Sequence, residues 1–121
     1  MSEARPLVLV VEDDPLILIH SRLALEDAGF EALPVRDAGE ALDRLAERRD
    51  IRAVFTDVKM PGALDGLALA RRVRAERPEV EIVVTSGSTK VDKAELPLGA
   101  RFLPKPYTAF QVTRALAAIA G

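Results

Sequence analysis

Apolar residues fall along this chain in two alternating patterns: short unbroken aliphatic runs, and longer stretches in which apolar positions recur at helical spacing. The runs are Leu7-Val8-Leu9-Val10-Val11, Ala53-Val54-Phe55-Thr56, Val80-Glu81-Ile82-Val83-Val84 and the shorter Arg101-Phe102-Leu103. A strand covered on both faces has no polar side and reads as such a run, so the first three predict buried strands and the last a short fifth strand. Phe30 to Val35 alternates only weakly and contains Pro34, which has no N–H for a ladder; it predicts an edge strand.

The intervening stretches read as helices. Asp14-Pro15 supplies an N-cap and a first-turn proline for a helix running to about Ala28, with Gly29 placed to end it in a left-handed conformation. Ile17, Ser21, Ala24, Leu25 and Ala28 share one face of that helix. Leu16, Leu18 and Ile19 cannot join them, so its first turns carry surplus apolar surface. Asp37-Ala38-Gly39-Glu40 has the form of a capping box before a helix with Leu42, Leu45 and Ala46. Asp65-Gly66 opens a third, with Leu67, Ala70 and Val73 inward, a solvated arginine-rich outer face and a stop before Pro78. Thr89 to Leu98 is polar and holds Pro97, so a fourth helix there is brief. Thr108 and Gln111 form a second capping box for a last helix with Val112, Leu116 and Ile119 on one face. Strand and helix thus alternate five times, which predicts an α/β protein with one parallel sheet and right-handed crossovers.

Composition narrows the function classes. The 121 residues suit a single domain, 1–121, with one core. Basic and acidic residues number 17 and 19, so there is no electrostatic footprint for nucleic acid or anionic lipid. Cysteine is absent, which excludes disulfides, zinc thiolate sites and thiol catalysis. The polar start, Met1 to Pro6, leads into an apolar run too short to cross a membrane or serve as a signal peptide, so a soluble, cytoplasmic protein is expected.

The chemistry gathers where the strands end. Glu12 and Asp13 follow the first strand, Asp57 the third, Thr85 and Ser86 the fourth, and Lys105 the fifth. Parallel strands bring their carboxyl ends to one rim of a sheet, where ligands bind in open α/β folds. Three carboxylates on that rim repel one another, and a hard divalent cation relieves the repulsion through oxygen ligands, so a magnesium-type site is predicted. With a lysine point charge and a hydroxyl beside it, the rim suits a tetrahedral dianion. A carboxylate can attack phosphorus when cation and ammonium neutralise the charge gathering on the phosphoryl oxygens. Asp57, heading the most buried strand with Lys59 and Met60-Pro61 in the loop behind it, is the best-placed nucleophile. Either Thr85 or Ser86 could be the strand-end hydroxyl.

Val10-Val11-Glu12-Asp13-Asp14-Pro15, Thr56-Asp57-Val58-Lys59-Met60-Pro61 with Asp65-Gly66, Ser86-Gly87 and Lys105-Pro106 together resemble the receiver domain of bacterial two-component response regulators, of the single-domain, chemotaxis-regulator type. The resemblance covers essentially the whole chain. It implies a flavodoxin-like, doubly wound sheet of five strands in the order 2-1-3-4-5 with five helices. It also implies that Asp57 is the phosphoacceptor, Asp13 a direct ligand of Mg2+ (or Mn2+), and Glu12 an acid acting through a metal-bound water. Lys59 then gives only its backbone carbonyl to the metal, and Asp57 is itself a ligand. Ser86, backed by the small Gly87, matches the hydroxyl that grips the phosphoryl group, Lys105 its lysine partner, and Phe102 the aromatic switch that moves with the hydroxyl loop.

Three departures from the family pattern stand out. The loop from Met60 to Gly66 is one residue longer than usual, the stretch between Ser86 and Lys105 is shorter, and Phe102 replaces a tyrosine, so no phenol at that position can exchange partners. His20 lies mid-helix and is expected away from the rim, as a partly exposed residue without a role in phosphoryl transfer.

The function implied is that of a stand-alone receiver, not an enzyme in the usual sense. It takes a phosphoryl group from a histidine kinase or histidine phosphotransfer protein and signals through a changed protein-binding surface. A homodimer through the first helix or the last helix region is a further expectation; nucleic acid and membrane partners are not expected. The alternatives are a magnesium-dependent phosphohydrolase that forms an aspartyl phosphate and a scaffold used unphosphorylated. Against the hydrolase, Lys59 stands where such enzymes commonly carry a second aspartate as general acid.

Overall fold

A computed structural model describes residues 5–59, 64–87 and 91–119. Five parallel strands form one sheet in the order β2-β1-β3-β4-β5. They are β1 (Leu7–Val11), β2 (Glu31–Val35), β3 (Ile51–Asp57), β4 (Glu81–Ser86) and β5 (Arg101–Pro104). The helices are α1 (Pro15–Asp27), α2 (Ala38–Glu47), α3 (Gly66–Glu76) and α4 (Ala109–Ala115). This is the flavodoxin-like order, and β2 with Pro34 takes an edge as its sequence requires.

Alternation along the inner strands explains why they are apolar throughout. Leu7, Leu9 and Val11 of β1, with Val54, Ile82 and Val84, pack against α2 and α3. Val8 and Val10, with Ala53, Phe55 and Val83, pack on the other face with Ala24 and Leu25 of α1 and with Val112, Leu116 and Ile119 around α4. Each residue of β1 is therefore buried, whichever way it points.

Caps set the helix ends. Asp14 accepts from the N–H groups of Leu16 and Ile17, Asp65 from that of Ala68, and Thr108 with Gln111 forms the full reciprocal box. At α2 the box is displaced: Asp37 accepts from the Glu40 N–H, but Glu40 reaches back to the N–H of Arg36. Gly29 closes α1 at φ 96°, a left-handed conformation that a β-carbon would strain.

Several expectations are corrected. Where a fifth helix was expected between β4 and β5, the described residues hold a single 3-10 turn, Lys93–Glu95. The inner face of α2 is Ala38, Ala41 and Leu45, with Leu42 half-buried and Ala46 exposed. Leu18 is half-buried against the α1-side core, while Leu16 and Ile19 are exposed as expected, joined by Leu23. The arginines of α3 and of its C-cap are not all solvated: Arg77, the cap, donates to the carbonyls of Leu45, Arg48 and Arg49, and Arg74 to those of Pro78 and Val80. These bonds satisfy carbonyls at the end of α2 and ahead of β4, so they hold the fold together. Met60 and Pro61, assigned to the loop behind Asp57, lie outside the described residues.

Candidate functional site

Glu12 leaves β1 buried, at 3% exposure, because its backbone continues the ladder: its N–H donates to the Val35 carbonyl at 3.1 Å. Its carboxylate is held from two sides. Oε2 accepts from the Asp14 N–H at 3.2 Å, and Oε1 accepts from Lys105 Nζ at 3.0 Å. The same ammonium lies 3.3 Å from Asp57 Oδ2. Carboxylate oxygens of Glu12, Asp13 and Asp57 can be chosen so that all lie within 4.8 Å of one another. Chain ends of β1, β3 and β5 thus meet at one point across 93 residues of sequence separation between Glu12 and Lys105.

The electrostatics follow from this crowding. Burial pushes the Glu12 carboxyl above its ordinary value, and the bonds from Lys105 and the Asp14 N–H reverse that only in part. Burial also works against the Lys105 ammonium, yet the bond to Glu12 and the charge of Asp57 outweigh it and leave its pKa raised. One ammonium faces three carboxylates, so the cluster is net negative.

The backbone that presents Asp57 is fixed on both sides. Thr56 is buried and donates its hydroxyl to the Asp57 carbonyl at 3.0 Å. Val58 donates to the Thr85 carbonyl at 2.9 Å, and its own carbonyl accepts from the Gly66 N–H at 2.8 Å. The start of α3 is thereby drawn against the end of β3. A β-carbon at Gly66 would overlap the Asp57 carbonyl oxygen and lie 2.7 Å from its carbonyl carbon, so only glycine fits.

Ser86 is buried at the end of β4, and its carbonyl accepts from the Lys105 N–H at 3.0 Å. Thr85, opposite Asp57 in register, turns its hydroxyl back into the sheet toward the Thr56 carbonyl at 3.5 Å. Phe102 is half-buried against the α2/α3-side core and lines an open groove of about 700 Å³ with Leu98 and Arg101. Lys59 is exposed beyond β3.

His20 is exposed as expected but lies nearer the Lys105 loop than its place in mid-helix suggested. Its ring lies 5.6 Å from that of Tyr107, and it lines a groove of about 530 Å³ with Leu16, Ile17, Lys105 and Pro106. Helix α1 turns this side toward the Lys105 loop, which spacing within α1 could not reveal. Sequence reasoning passed over Tyr107 and gave Ser21 only a place on the shared face of α1; their hydroxyls meet at 2.5 Å inside the protein. The available cues were a phenol directly after Lys105-Pro106 and a lone hydroxyl on the apolar face of α1.

The residues 8–117 match the family model of the response regulator receiver domain. Nitrogen assimilation regulatory protein NtrX of Azorhizobium caulinodans is 38% identical over 106 residues, covering 84% of this chain and 23% of that protein. DNA-binding transcriptional regulator NtrC of Escherichia coli K12 is 31% identical over 106 residues, 85% of this chain and 22% of its own length. The chain therefore spans less than a quarter of these two regulators. A response regulator receiver protein from Pseudomonas putida superposes with TM-score 0.81 at 35% identity, covering 97% of this chain and 99% of that one. A receiver domain protein from Clostridium thermocellum gives TM-score 0.83 at 31% identity, covering 93% and 92%. Fold, strand order and family match agree, and the chain belongs to the response regulator receiver domains of two-component phosphorelay systems.

Proposed function

We propose that Asp57 is the phosphoacceptor of a phosphorelay and that Lys105 is its charge partner. The observation that carries this reading is one ammonium within 3.0 Å of Glu12 and 3.3 Å of Asp57 at the rim where three strands end. An Asp57 carboxylate oxygen attacks the phosphorus of a phosphohistidine on a kinase or phosphotransfer protein. The P–N bond breaks, the imidazole leaves with its electron pair, and a mixed anhydride forms on Asp57. Lys105, already between the carboxylates, balances charge on the phosphoryl oxygens.

The donor set at the rim is all oxygen, which suits a hard divalent cation. Asp13 and Asp57 would hold Mg2+ or Mn2+ directly, Glu12 through a water, and Lys59 through its backbone carbonyl. Such an ion, when bound, supplies further neutralisation of the phosphoryl charge. Thr85 donates within the sheet, which favours Ser86 as the hydroxyl that takes a phosphoryl oxygen. Phe102, packed beside β4, is the aromatic expected to respond. The signal then passes on as an altered protein-binding surface.

Intact-mass measurement after incubation with acetyl phosphate and magnesium tests the reading. Wild type gains one phosphoryl group and Asp57→Asn gains none; addition to the Asp57→Asn variant, or none to wild type, overturns it.

A further inference from the structure

Lys105 sits in a loop with few backbone anchors of its own. Pro104 and Pro106 on either side of it have no N–H, and its own N–H is used on the Ser86 carbonyl. Yet its ammonium is held between two carboxylates. The side chain two residues on supplies the missing restraint. Tyr107 is 4% exposed, sets its ring edge-on to Phe55 of β3 at 5.3 Å, and meets the Ser21 hydroxyl of α1 at 2.5 Å. Ser21 is itself buried, among Ala24 and Leu25 on the inward face of α1.

We propose that Tyr107 and Ser21 form a clasp that positions Lys105 at the phosphorylation site, by tying its loop to the helix that follows Glu12 and Asp13. Tyr107 is a positioning residue: its hydroxyl acts on the reaction only through where Lys105 stands. Burial raises the phenol above its ordinary pKa, so the hydroxyl is neutral and bonded across the working pH range. The phenol absent from position 102 is thus present on the opposite face of the sheet, toward α1 rather than toward α2 and α3. Neither hydroxyl can be traded for a methyl or hydrogen without stranding its partner in an apolar setting.

Tyr107→Phe keeps the ring and removes the oxygen. With acetyl phosphate and magnesium, its phosphorylation rate constant falls about tenfold, short of the ~100-fold that a full ångström of misplacement can cost. Magnesium still binds, since the carboxylates are carried by β1 and β3. Ser21→Ala breaks the same bond from the helix side and gives the same fall, so the test survives if one variant folds poorly. In a Lys105→Ala background neither substitution lowers the rate further. A wild-type rate in both variants, or an equal fall with Lys105 already removed, overturns the proposal. The rate measurement rests on the phosphoacceptor reading above. A second arm does not: the side-chain 15N resonance of Lys105 moves to the position of solvent-exposed lysines in Tyr107→Phe. An unmoved resonance overturns the clasp even if no protein is phosphorylated, whereas a moved resonance with an unphosphorylated wild type supports the clasp and faults only the function.

Discussion

Gly66→Ala pits two physical effects against each other. Gly66 is the first residue of α3, and alanine is the better helix former by about 1 kcal/mol in a helix interior, so propensity alone predicts a gain in stability. The contacts predict the reverse. The added β-carbon would lie 2.7 Å from the Asp57 carbonyl carbon and 2.9 Å from Val58 Cα, both backbone atoms with no rotamer to yield. It would also overlap the Asp57 carbonyl oxygen, so reaching an ordinary contact of 3.4 Å needs a backbone shift of well over about 1 Å. That shift has to strain the Gly66 N–H bond to Val58 or the Val58 N–H bond to Thr85. Overpacking of this kind costs about 1–3 kcal/mol, and the upper half applies because backbone has to move. For a domain of this size that lowers the melting temperature by roughly 6–12 °C. Urea unfolding followed by circular dichroism measures it, as a lower midpoint at unchanged slope. A Gly66→Ala variant as stable as wild type, or more so, would refute the packing argument.

Leu25→Ala, at a fully buried position of α1, loses about 2–5 kcal/mol in the same urea assay, while Leu16→Ser at 78% exposure stays within about 0.5 kcal/mol. Tyr107 is the single tyrosine and tryptophan is absent, so phenolate absorbance titrates one residue. Its midpoint in the folded protein lies above the ordinary 10.0 because burial disfavours the charge, with the Ser21 bond opposing that in part. Above that ordinary value the unfolded chain releases the proton while the folded one keeps it, so stability falls as pH rises toward the folded midpoint; a normal midpoint would contradict the burial. Magnesium at about 100 times its dissociation constant stabilises wild type by roughly 2.7 kcal/mol, and Asp13→Asn loses most of that gain in a thermal melt with and without chelator.

The apolar runs β1, β3 and β4 were legible because burial on both faces leaves a pattern that no other element shares at that length. The caps Asp14, Asp65 and Thr108 were legible because their bonds are local. Glu12, Asp13, Asp57 and Lys105 could be assigned to one rim because parallel strands fix which ends coincide. What failed depended on contacts between distant segments. The arginines of α3 and its C-cap look identical along the chain, and only the return of α2 beside them separates Arg77 from Arg72. His20 was set apart from the rim because its rotation toward the Lys105 loop belongs to the packing of α1 against that loop.

By itself, the order of residues determined which segments are strands and which helices, where helices begin and which acids end strands, since these rest on periodicity and on bonds a few residues long. Tertiary structure alone decided that Lys105 bridges Glu12 and Asp57, that Gly66 admits no side chain, and that Ser21 and Tyr107 join. Those are distances of a few ångströms between groups up to 93 residues apart, and they exist only once the whole sheet has closed.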